Sequence, residues 1–199
     1  MANAGNGVTV SRLAVEKNIA FLLRVVQRLV PQFPTLLFVV AGEGPDAERL
    51  KKLTASLGLQ DNVRFFGNLD RRTTLLDCYR AGDIFVFASP TETQGLVLIE
   101  AMALGVPIVS TAVMGTATVL RDARSAVISV EDVDVFAGHV AALLGDAPRR
   151  TALSAAGLRD VQAWSADGLM QQAVVLYARL AAKGQDTVGL VGVAAQTFP

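Results

Sequence analysis

Short apolar runs alternate with amphipathic stretches through the first 130 residues or so of the chain. The apolar runs predict strands buried on both faces of a sheet, because their hydrophobic residues follow one another without polar interruption. The stretches between them space apolar residues three and four apart, which is typical of helices. The predicted strands are 8–10, 35–41, 63–66, 83–89, 107–111 and 126–130, and the predicted helices are 17–30, 46–57, 73–80, 96–104, 131–145, 148–162 and 166–182.

This order predicts an α/β fold, a Rossmann-like doubly wound parallel sheet with trailing C-terminal helices. We place the domain at residues 8–182 and expect flexible tails at 1–7 and 183–199. In sheets of this kind, ligands bind beyond the carboxyl ends of the strands. The segments that directly follow strands are therefore the place to look for chemistry.

Composition excludes several classes of function. The 18 Lys+Arg and 18 Asp+Glu residues balance, so the overall charge does not indicate a nucleic-acid partner. The single cysteine, Cys78, is expected to be a buried apolar side chain in a reducing compartment. No apolar run has the length of a membrane span and the first residues lack a secretory signal, which predicts a cytoplasmic protein. We expect no metal site, and His139 is interpreted as an ordinary helix residue.

One glycine-rich segment follows the predicted strand 35–41. Gly42, Gly44 and Ala47 fit the G-x-G-x-x-A pattern of NAD-binding domains. Pro45 weakens the match, because proline has no N–H group to offer a pyrophosphate. The acidic residue that the pattern requires would also have to end the next strand, and none does. A tight strand-to-helix turn is the favoured interpretation, and an NAD-binding domain stays as an alternative.

A second segment places two carboxylates around a glycine. Glu92 and Glu100 flank Gly95, which lies where a loop becomes a helix. A helix N-terminus offers free N–H groups and a partial positive charge to a phosphate, and glycine permits close approach. Carboxylates repel phosphate but suit adjacent sugar hydroxyls. The pattern fits a nucleotide diphosphate sugar, and the alternative is a solvated Glu92 with Glu100 paired to a surface cation.

The segment resembles the E-x7-E motif of GT-B glycosyltransferases of the family 4 type, the glycosyl transferases group 1. That motif commonly reads E-G-F-G-L-x-x-x-E-A-M-A-x-G-x-P-V-V, and here it reads ETQGLVLIEAMALGVPIV. Further segments follow in the family's order, and the resemblance covers about residues 8–182, the C-terminal donor-binding domain of the family. These segments are VSRLAVEKN (10–18), AGEGPDAERLKKL (41–53) and NVRFFGNL (62–69).

The resemblance implies a role for each matching residue. Arg12 and Lys17 match the basic pair that neutralises the donor diphosphate and stabilises the leaving group. Glu92 matches the residue that holds the hydroxyls of the donor sugar, and Glu100 matches the one that binds the ribose. The other implied donor-binding residues are Thr93, Gln94, Gly95 and Leu96 around the phosphates and sugar, and Gly67, Asn68 and Leu69 beside the base.

The activity implied by the resemblance is retaining transfer of a hexose from a nucleotide diphosphate sugar, with a UDP-sugar as the commonest donor and no cofactor. The acceptor is a lipid or glycan, and the full-length enzyme is expected to lie peripherally at the inner membrane face. The N-terminal acceptor domain is unmatched, so transfer is expected to need that domain or a separate subunit. Four residues depart from the family pattern: Ser11 in place of a glycine, Thr93 and Gln94 in place of Gly and Phe, and Thr118 near the place of a glutamate.

Other functions stay open at this point. The chain could be a stand-alone nucleotide-binding or assembly module without catalysis. A non-hydrolysing epimerase of GT-B shape would share the fold but would not normally carry the two glutamates.

Overall fold

A computed structural model of the chain describes residues 5–194, with side chains described to residue 182. The chain divides after Val161 into two compact units, and all strands belong to the first. The strands are β1 Asn6–Val10, β2 Leu37–Ala41, β3 Val63–Gly67, β4 Ile84–Phe87, β5 Ile108–Thr111 and β6 Ala126–Ser129. The helices of the first unit are α1 Ile19–Leu29, α2 Ala47–Ser56, α3 Thr74–Arg80, α4 Leu96–Ala103, α5 Gly115–Leu120, α6 Val133–Leu144 and α7 Ala147–Asp160.

The six strands form one parallel sheet in the order β3-β2-β1-β4-β5-β6, which confirms the predicted Rossmann-like fold. Strand β1 pairs with β2 from Asn6↔Leu37 to Val10↔Ala41. Its pairing with β4 is much shorter, with only Gly7↔Ile84 and Val8↔Phe85 in register. The strand order reverses between β1 and β4, and such a reversal opens a crevice at the carboxyl edge of a sheet.

Both faces of the sheet are covered by helices, which explains the unbroken apolarity of the strands. On one face α1 packs against α6, with Phe21 and Phe136 in edge-to-face contact at 5.5 Å between ring centroids. On the other face Tyr79 of α3 packs on Phe85 of β4, with centroids 5.3 Å apart. Each fully buried aromatic ring of this kind contributes about 1.5–3 kcal/mol through burial.

The helix predicted over 17–30 is interrupted. A 3-10 turn covers Val15–Lys17, Asn18 adopts a left-handed conformation with φ of 55°, and α1 begins at Ile19. Asparagine tolerates this conformation, and its side-chain amide donates to Glu131 Oε1 at 2.8 Å. Lys17 is therefore positioned by a rigid turn and not by the body of α1.

The start of β1 and the presence of helix α5 also differ from the prediction. Strand β1 begins at Asn6, so the last two residues of the tail expected at 1–7 belong to the sheet. Helix α5 was not predicted, because its sequence GTATVL is short and rich in β-branched residues, which are poor helix formers. It forms because Thr116, Val119 and Leu120 become buried against the rest of the unit.

A 3-10 turn at Val161–Trp164 begins at the last residue of the first unit, and the second unit holds a long helix, α8 Ala166–Ala194. Ser165 opens α8 by accepting a hydrogen bond from Gly168 N at 3.0 Å. The predicted helix 166–182 lies inside α8, and the tail predicted at 183–199 lies partly in α8 and partly outside the described residues. Within the part of the chain that the structure describes, no helix is long and apolar enough to cross a membrane.

Candidate functional site

A cavity of about 550 Å³ lies at the carboxyl edge of the sheet, where the strand order reverses. Its walls come from the segments after β1, β2 and β3 and from α4. Four of the predicted site residues line it, namely Arg12, Asn68, Leu69 and Glu100. Residues from four separate segments of the chain therefore meet at the place where this fold binds its ligands.

Of the other predicted residues, Gly67 ends β3 and Lys17 lies in the 3-10 turn after β1. The rest lie at the N-terminus of α4 and in the loop before it. Gly95 is the N-cap of the helix with φ of 69°, and a Cβ atom there would lie 3.0 Å from Val119 Cγ2. Glycine is thus required both by the backbone conformation and by the space. Thr93 and Gln94 are exposed on the preceding loop, and Leu96 is 53% exposed.

Glu92 and Lys17 form an ion pair beside this helix terminus. Lys17 Nζ donates to Glu92 Oε2 at 2.9 Å, and both side chains are more than four-fifths buried. Glu92 Oε1 also accepts from the N–H groups of Gln94 at 3.2 Å and Gly95 at 3.1 Å. Burial alone would raise the pKa of Glu92, but these three hydrogen bonds outweigh it and the pKa lies below its ordinary value.

Positive potential remains at this end of α4. The N–H groups of Leu96 and Val97 have no hydrogen-bond acceptor among the residues that the structure describes. The exposed side chain of Arg12 likewise has no ion-pair partner in the described part of the chain. Unpaired helix N–H groups and a free guanidinium are the donors that a phosphate group uses.

Glu100 projects from the second turn of α4 into the cavity and is held on both oxygens. Tyr79 Oη donates to Glu100 Oε2 at 2.7 Å, and Arg71 Nη2 donates to Glu100 Oε1 at 2.6 Å. The alternative considered for Glu100, pairing with a surface cation, is therefore present in this structure, since the Arg71 side chain is 75% exposed. That pairing and a role in the cavity coexist, because Glu100 also lines the cavity.

The segment after β3 is fixed by a carboxylate from the segment after β2. Glu43 Oε2 accepts from Asn68 Nδ2 at 3.0 Å. Gly67 has φ of 65°, and Gly42 N donates to Gly67 O at 2.7 Å, at an irregularity in the β2–β3 pairing. Gly67 and Asn68 are thus held by hydrogen bonds to the segment after β2, and Asn68 and Leu69 line the cavity.

The glycine-rich turn AGEG serves close packing of the backbone. A Cβ atom on Gly42 would lie 1.9 Å from Ser11 O, and one on Gly44 would lie 2.2 Å from Leu13 O. Asp46 N donates to Leu13 O at 3.0 Å. These glycines allow the segment after β1 to pack on the turn, which is the strand-to-helix turn that the sequence favoured over an NAD fingerprint.

The loop after β5 closes the other side of the two-glutamate segment. Gly115 N donates to Glu92 O at 2.8 Å, and a Cβ atom on Gly115 would lie 2.1 Å from Thr93 O. Met114 beside it has φ of 52°, a conformation that favours glycine. Thr118, in place of the family's glutamate, is exposed on α5.

Three polar residues that hold the predicted site residues in place were not predicted: Glu43, Arg71 and Tyr79. Glu43 lies two residues after β2 and Arg71 lies four residues after β3, and that position was a usable signal. Nothing in the sequence indicated that Tyr79 belongs to the site, because a tyrosine in an apolar helix is usually interpreted as a core residue.

Metal ligands do not gather in the described residues, where no group of three or more His, Cys, Asp or Glu side chains could hold an ion. The sequence contains one Asp-x-Asp segment, Asp132-Val133-Asp134, contrary to the expectation that it has none. Asp132 caps α6 by accepting from Asp134 N at 3.0 Å, and Asp134 pairs with Arg28. Both carboxylates therefore have structural partners.

The fold and the position of the cavity define a Rossmann-like α/β domain whose candidate site lies at the topological switch point of its sheet. Comparison with known proteins takes the assignment further. The chain belongs to the family described as glycosyl transferases group 1, which it matches over residues 7–160.

Several glycosyltransferases are similar to this chain. D-inositol 3-phosphate glycosyltransferase 2 of Catenulispora acidiphila is 41% identical over 142 residues, which cover 66% of this chain and 33% of that protein. D-inositol 3-phosphate glycosyltransferase of Geodermatophilus obscurus is 36% identical over 177 residues, which cover 84% of this chain and 39% of that protein. The chain thus spans well under half the length of these relatives.

A solved structure confirms the fold. HepE of Anabaena, solved in complex with UDP, superposes with a TM-score of 0.76 over 89% of this chain and 50% of that chain, at 19% identity. The parallel sheet and its flanking helices therefore recur in a solved structure, which confirms the Rossmann-like fold that the sequence predicted.

Proposed function

We propose that this chain is the donor-binding domain of a retaining glycosyltransferase that transfers a hexose from a nucleotide diphosphate sugar to a lipid or glycan acceptor. One observation carries the proposal. A helix terminus with free N–H groups lies between two carboxylates, Glu92 in the loop and Glu100 in the cavity. A phosphate between two polyhydroxyl groups has the matching arrangement of charge and donors.

Each part of the donor can be matched to one part of this site. Its diphosphate would bind at the N-terminus of α4, where Leu96 and Val97 offer N–H groups and Arg12 and Lys17 offer positive charge. Its ribose would bind Glu100, and its base would lie against the segment after β3. We propose a UDP-sugar as donor, with Glu92 leaving Lys17 to meet the hydroxyls of the hexose.

The chemistry requires little from this chain beyond binding and charge. The bond between the anomeric carbon and the phosphate oxygen breaks, and the electron pair leaves with the nucleoside diphosphate. Arg12, Lys17 and the helix N–H groups would stabilise that developing charge without a metal. The acceptor hydroxyl would attack from the side of the leaving phosphate and lose its proton there, which retains the anomeric configuration.

A second candidate is a binding module that works with a separate acceptor-binding subunit. Exposed apolar side chains near the site favour it, with Val15 69%, Leu96 53% and Met114 57% exposed. These residues follow β1, β4 and β5 at the same edge of the sheet. In either case the acceptor would be bound by groups outside the described residues, and a lipid acceptor would require the protein to act at the inner membrane face.

Calorimetric titration of the purified chain with UDP, UDP-glucose, GDP, GDP-mannose and NAD tests the proposal. We expect one nucleoside diphosphate to bind, and Glu100→Ala and Lys17→Ala to weaken it by about tenfold or more, the usual effect of losing a charged hydrogen bond. Glu48→Ala and Lys51→Ala are matched controls, because these residues form an exposed ion pair of the same 2.9 Å length. Binding of NAD alone, with silent variants, would contradict the proposal.

Failure of every nucleotide to bind a folded chain would favour the second candidate. A transfer assay with the acceptor-binding part supplied in trans would then separate the two.

A further inference from the structure

The hydroxyl of Tyr79 has one well-placed hydrogen-bond acceptor, a carboxylate oxygen of Glu100. Its side chain is fully buried in α3, with the ring packed on Phe85 at 5.3 Å between centroids. Its Oη lies 2.7 Å from Glu100 Oε2, and the next acceptor, Val97 O, is at 3.5 Å. The phenol therefore has one good acceptor, and that acceptor is a carboxylate lining the cavity.

The phenol acts only as a donor. Burial raises the pKa of Tyr79 far above its ordinary value, and the negative charge of Glu100 adds to the effect. The hydroxyl keeps its proton in neutral solution and directs it at Oε2. The Tyr79 hydroxyl thus fixes the orientation of the Glu100 carboxylate, because the buried Tyr79 ring cannot turn away from it.

A count of lone pairs shows what the carboxylate can still accept. A carboxylate offers about four acceptor positions, two on each oxygen. Tyr79 takes one on Oε2 and Arg71 takes one on Oε1. One position on each oxygen remains, and the Glu100 side chain is 29% exposed. Two parallel acceptors on one planar group match two adjacent hydroxyls.

We propose that Tyr79 is a positioning residue that holds the Glu100 carboxylate for two adjacent ribose hydroxyls and so makes the site discriminate ribonucleotides from 2′-deoxyribonucleotides. The inference rests on the proposed function, because it needs a ribose at Glu100. Arg71 holds the other oxygen, but its side chain is 75% exposed. Tyr79 is the fixed member of the pair and Arg71 the movable one.

A purely structural role for Tyr79 predicts a different outcome. If the hydroxyl only satisfied its own burial, its removal would weaken binding of every nucleotide by the same factor. If it positions Glu100 for two hydroxyls, its removal affects only ligands that possess both. The ratio of the affinities for UDP and 2′-deoxy-UDP separates the two roles.

The test compares these two nucleotides, and GDP with 2′-deoxy-GDP, in the full chain and in Tyr79→Phe. We expect the variant to bind the ribonucleotide about tenfold more weakly and the 2′-deoxyribonucleotide within about twofold of the unaltered protein, the size expected for one charged hydrogen bond. Phenylalanine retains the ring packing on Phe85, and near-ultraviolet circular dichroism checks that the fold is intact. Tyr177→Phe is the matched control, because Tyr177 is 71% exposed on α8.

A second variant makes the result independent of the stability of the first. In a Glu100→Gln background, Tyr79→Phe should have no further effect on the ratio, because the carboxylate that it positions is gone. An unchanged ratio in Tyr79→Phe, with binding weakened equally for both sugars or not at all, would overturn the inference while leaving the proposed function in place. Absence of nucleoside diphosphate binding in the unaltered chain overturns both.

Discussion

At the scale of single residues, the Lys17–Glu92 pair stands where a donor phosphate is expected. Glu92 Oε1 accepts from Gly95 N at 3.1 Å, so a carboxylate already occupies part of the helix N-terminus. A phosphate binding there would have to displace Glu92 from the N–H groups and compete for Lys17. The released carboxylate would then be free to accept hydroxyl hydrogen bonds, as the proposed role in sugar binding requires.

The same pair predicts a pH dependence of stability. The pKa of Glu92 is lower in the folded protein than its ordinary value of 4.5. The ionised Glu92 carboxylate therefore contributes to the free energy of unfolding above pH 4.5, and this contribution is lost as the pH falls through the pKa of the folded state. We expect Glu92→Gln to destabilise the protein at about pH 7 and to destabilise it less at about pH 3. Urea unfolding at both pH values measures this.

Glu16→Gln provides the control, because Glu16 is exposed in the 3-10 turn that also holds Lys17 and forms no ion pair within the described residues. A Glu92→Gln penalty that is equal at both pH values would show that the ionised carboxylate is not what stabilises this loop.

Met114 holds a strained backbone at the edge of the site. Its φ of 52° and ψ of −124° belong to a region that glycine adopts readily and other residues do not. Because its side chain is 57% exposed, replacement sacrifices little packing. We expect Met114→Gly to stabilise the chain by about 1 kcal/mol in thermal or urea unfolding.

Met114→Ala separates strain from side-chain loss, because alanine retains the Cβ atom. It should leave stability unchanged or slightly lower. Stabilisation by alanine as large as that by glycine would mean that the exposed methionine side chain, and not the backbone, is unfavourable.

At the scale of elements, the helix caps divide into structural and functional ones. The N-terminus of α4 has no side-chain cap from its own N-cap residue, Gly95, and is open at two N–H groups. The N-terminus of α7 is closed, with Asp146 Oδ1 accepting from Arg149 N at 2.8 Å. The α7 terminus follows the C-terminal end of α6 and lies at the amino edge of the sheet, away from the cavity.

We therefore expect Asp146→Ala to lower the free energy of unfolding by about 1 kcal/mol and to leave nucleotide affinity unchanged. Asp146→Asn retains a capping oxygen and should remain near the unaltered stability. Equal losses in the two variants would assign the effect to the charge instead of the cap. Urea unfolding and the nucleotide titration give both readouts.

The elements were predictable where burial and local pattern agree. The strands β2 and β4 were found from unbroken apolarity, because parallel strands are buried on both faces. Helix α5 was missed because tertiary burial of Val119 and Leu120 overrides its weak local preference. The start of α1 was predicted two residues early, at Lys17, although the apolar stripe begins only at Ile19. Apolar spacing identifies the buried face of a helix but does not reveal a left-handed backbone angle such as that of Asn18.

At the scale of the whole molecule, the site was partly predictable. Proximity of the segments after β1, β3 and β4 follows from the parallel sheet, and the motif located Glu92 and Glu100. The partners of Glu100 were not predictable. Arg71 and Tyr79 lie 29 and 21 residues away in the sequence, and their contacts depend on how α3 packs against α4.

The short pairing between β1 and β4 has a consequence for how the chain opens. Two residue pairs join these strands in register, fewer than at any other strand pair of the sheet, and Asp83 N also donates to Asn6 O at 2.8 Å beside them. This short pairing divides the sheet into a β3-β2-β1 half and a β4-β5-β6 half. Cooperative units that open separately often meet at such a boundary. The cavity lies above it, with Arg12 and Asn68 on one half and Glu100 on the other.

A nucleotide in the cavity would therefore contact both halves of the sheet, across the β1–β4 pair, which has the fewest residues in register. Hydrogen exchange of peptides covering β1 and β4 should slow at saturating UDP, while exchange of β6 should change little. Equal slowing in all strands would show that the sheet opens as one unit. With the expected result, nucleotide binding and the local stability of the β1–β4 pairing are thermodynamically coupled, so a lower nucleotide concentration would leave this part of the sheet less protected.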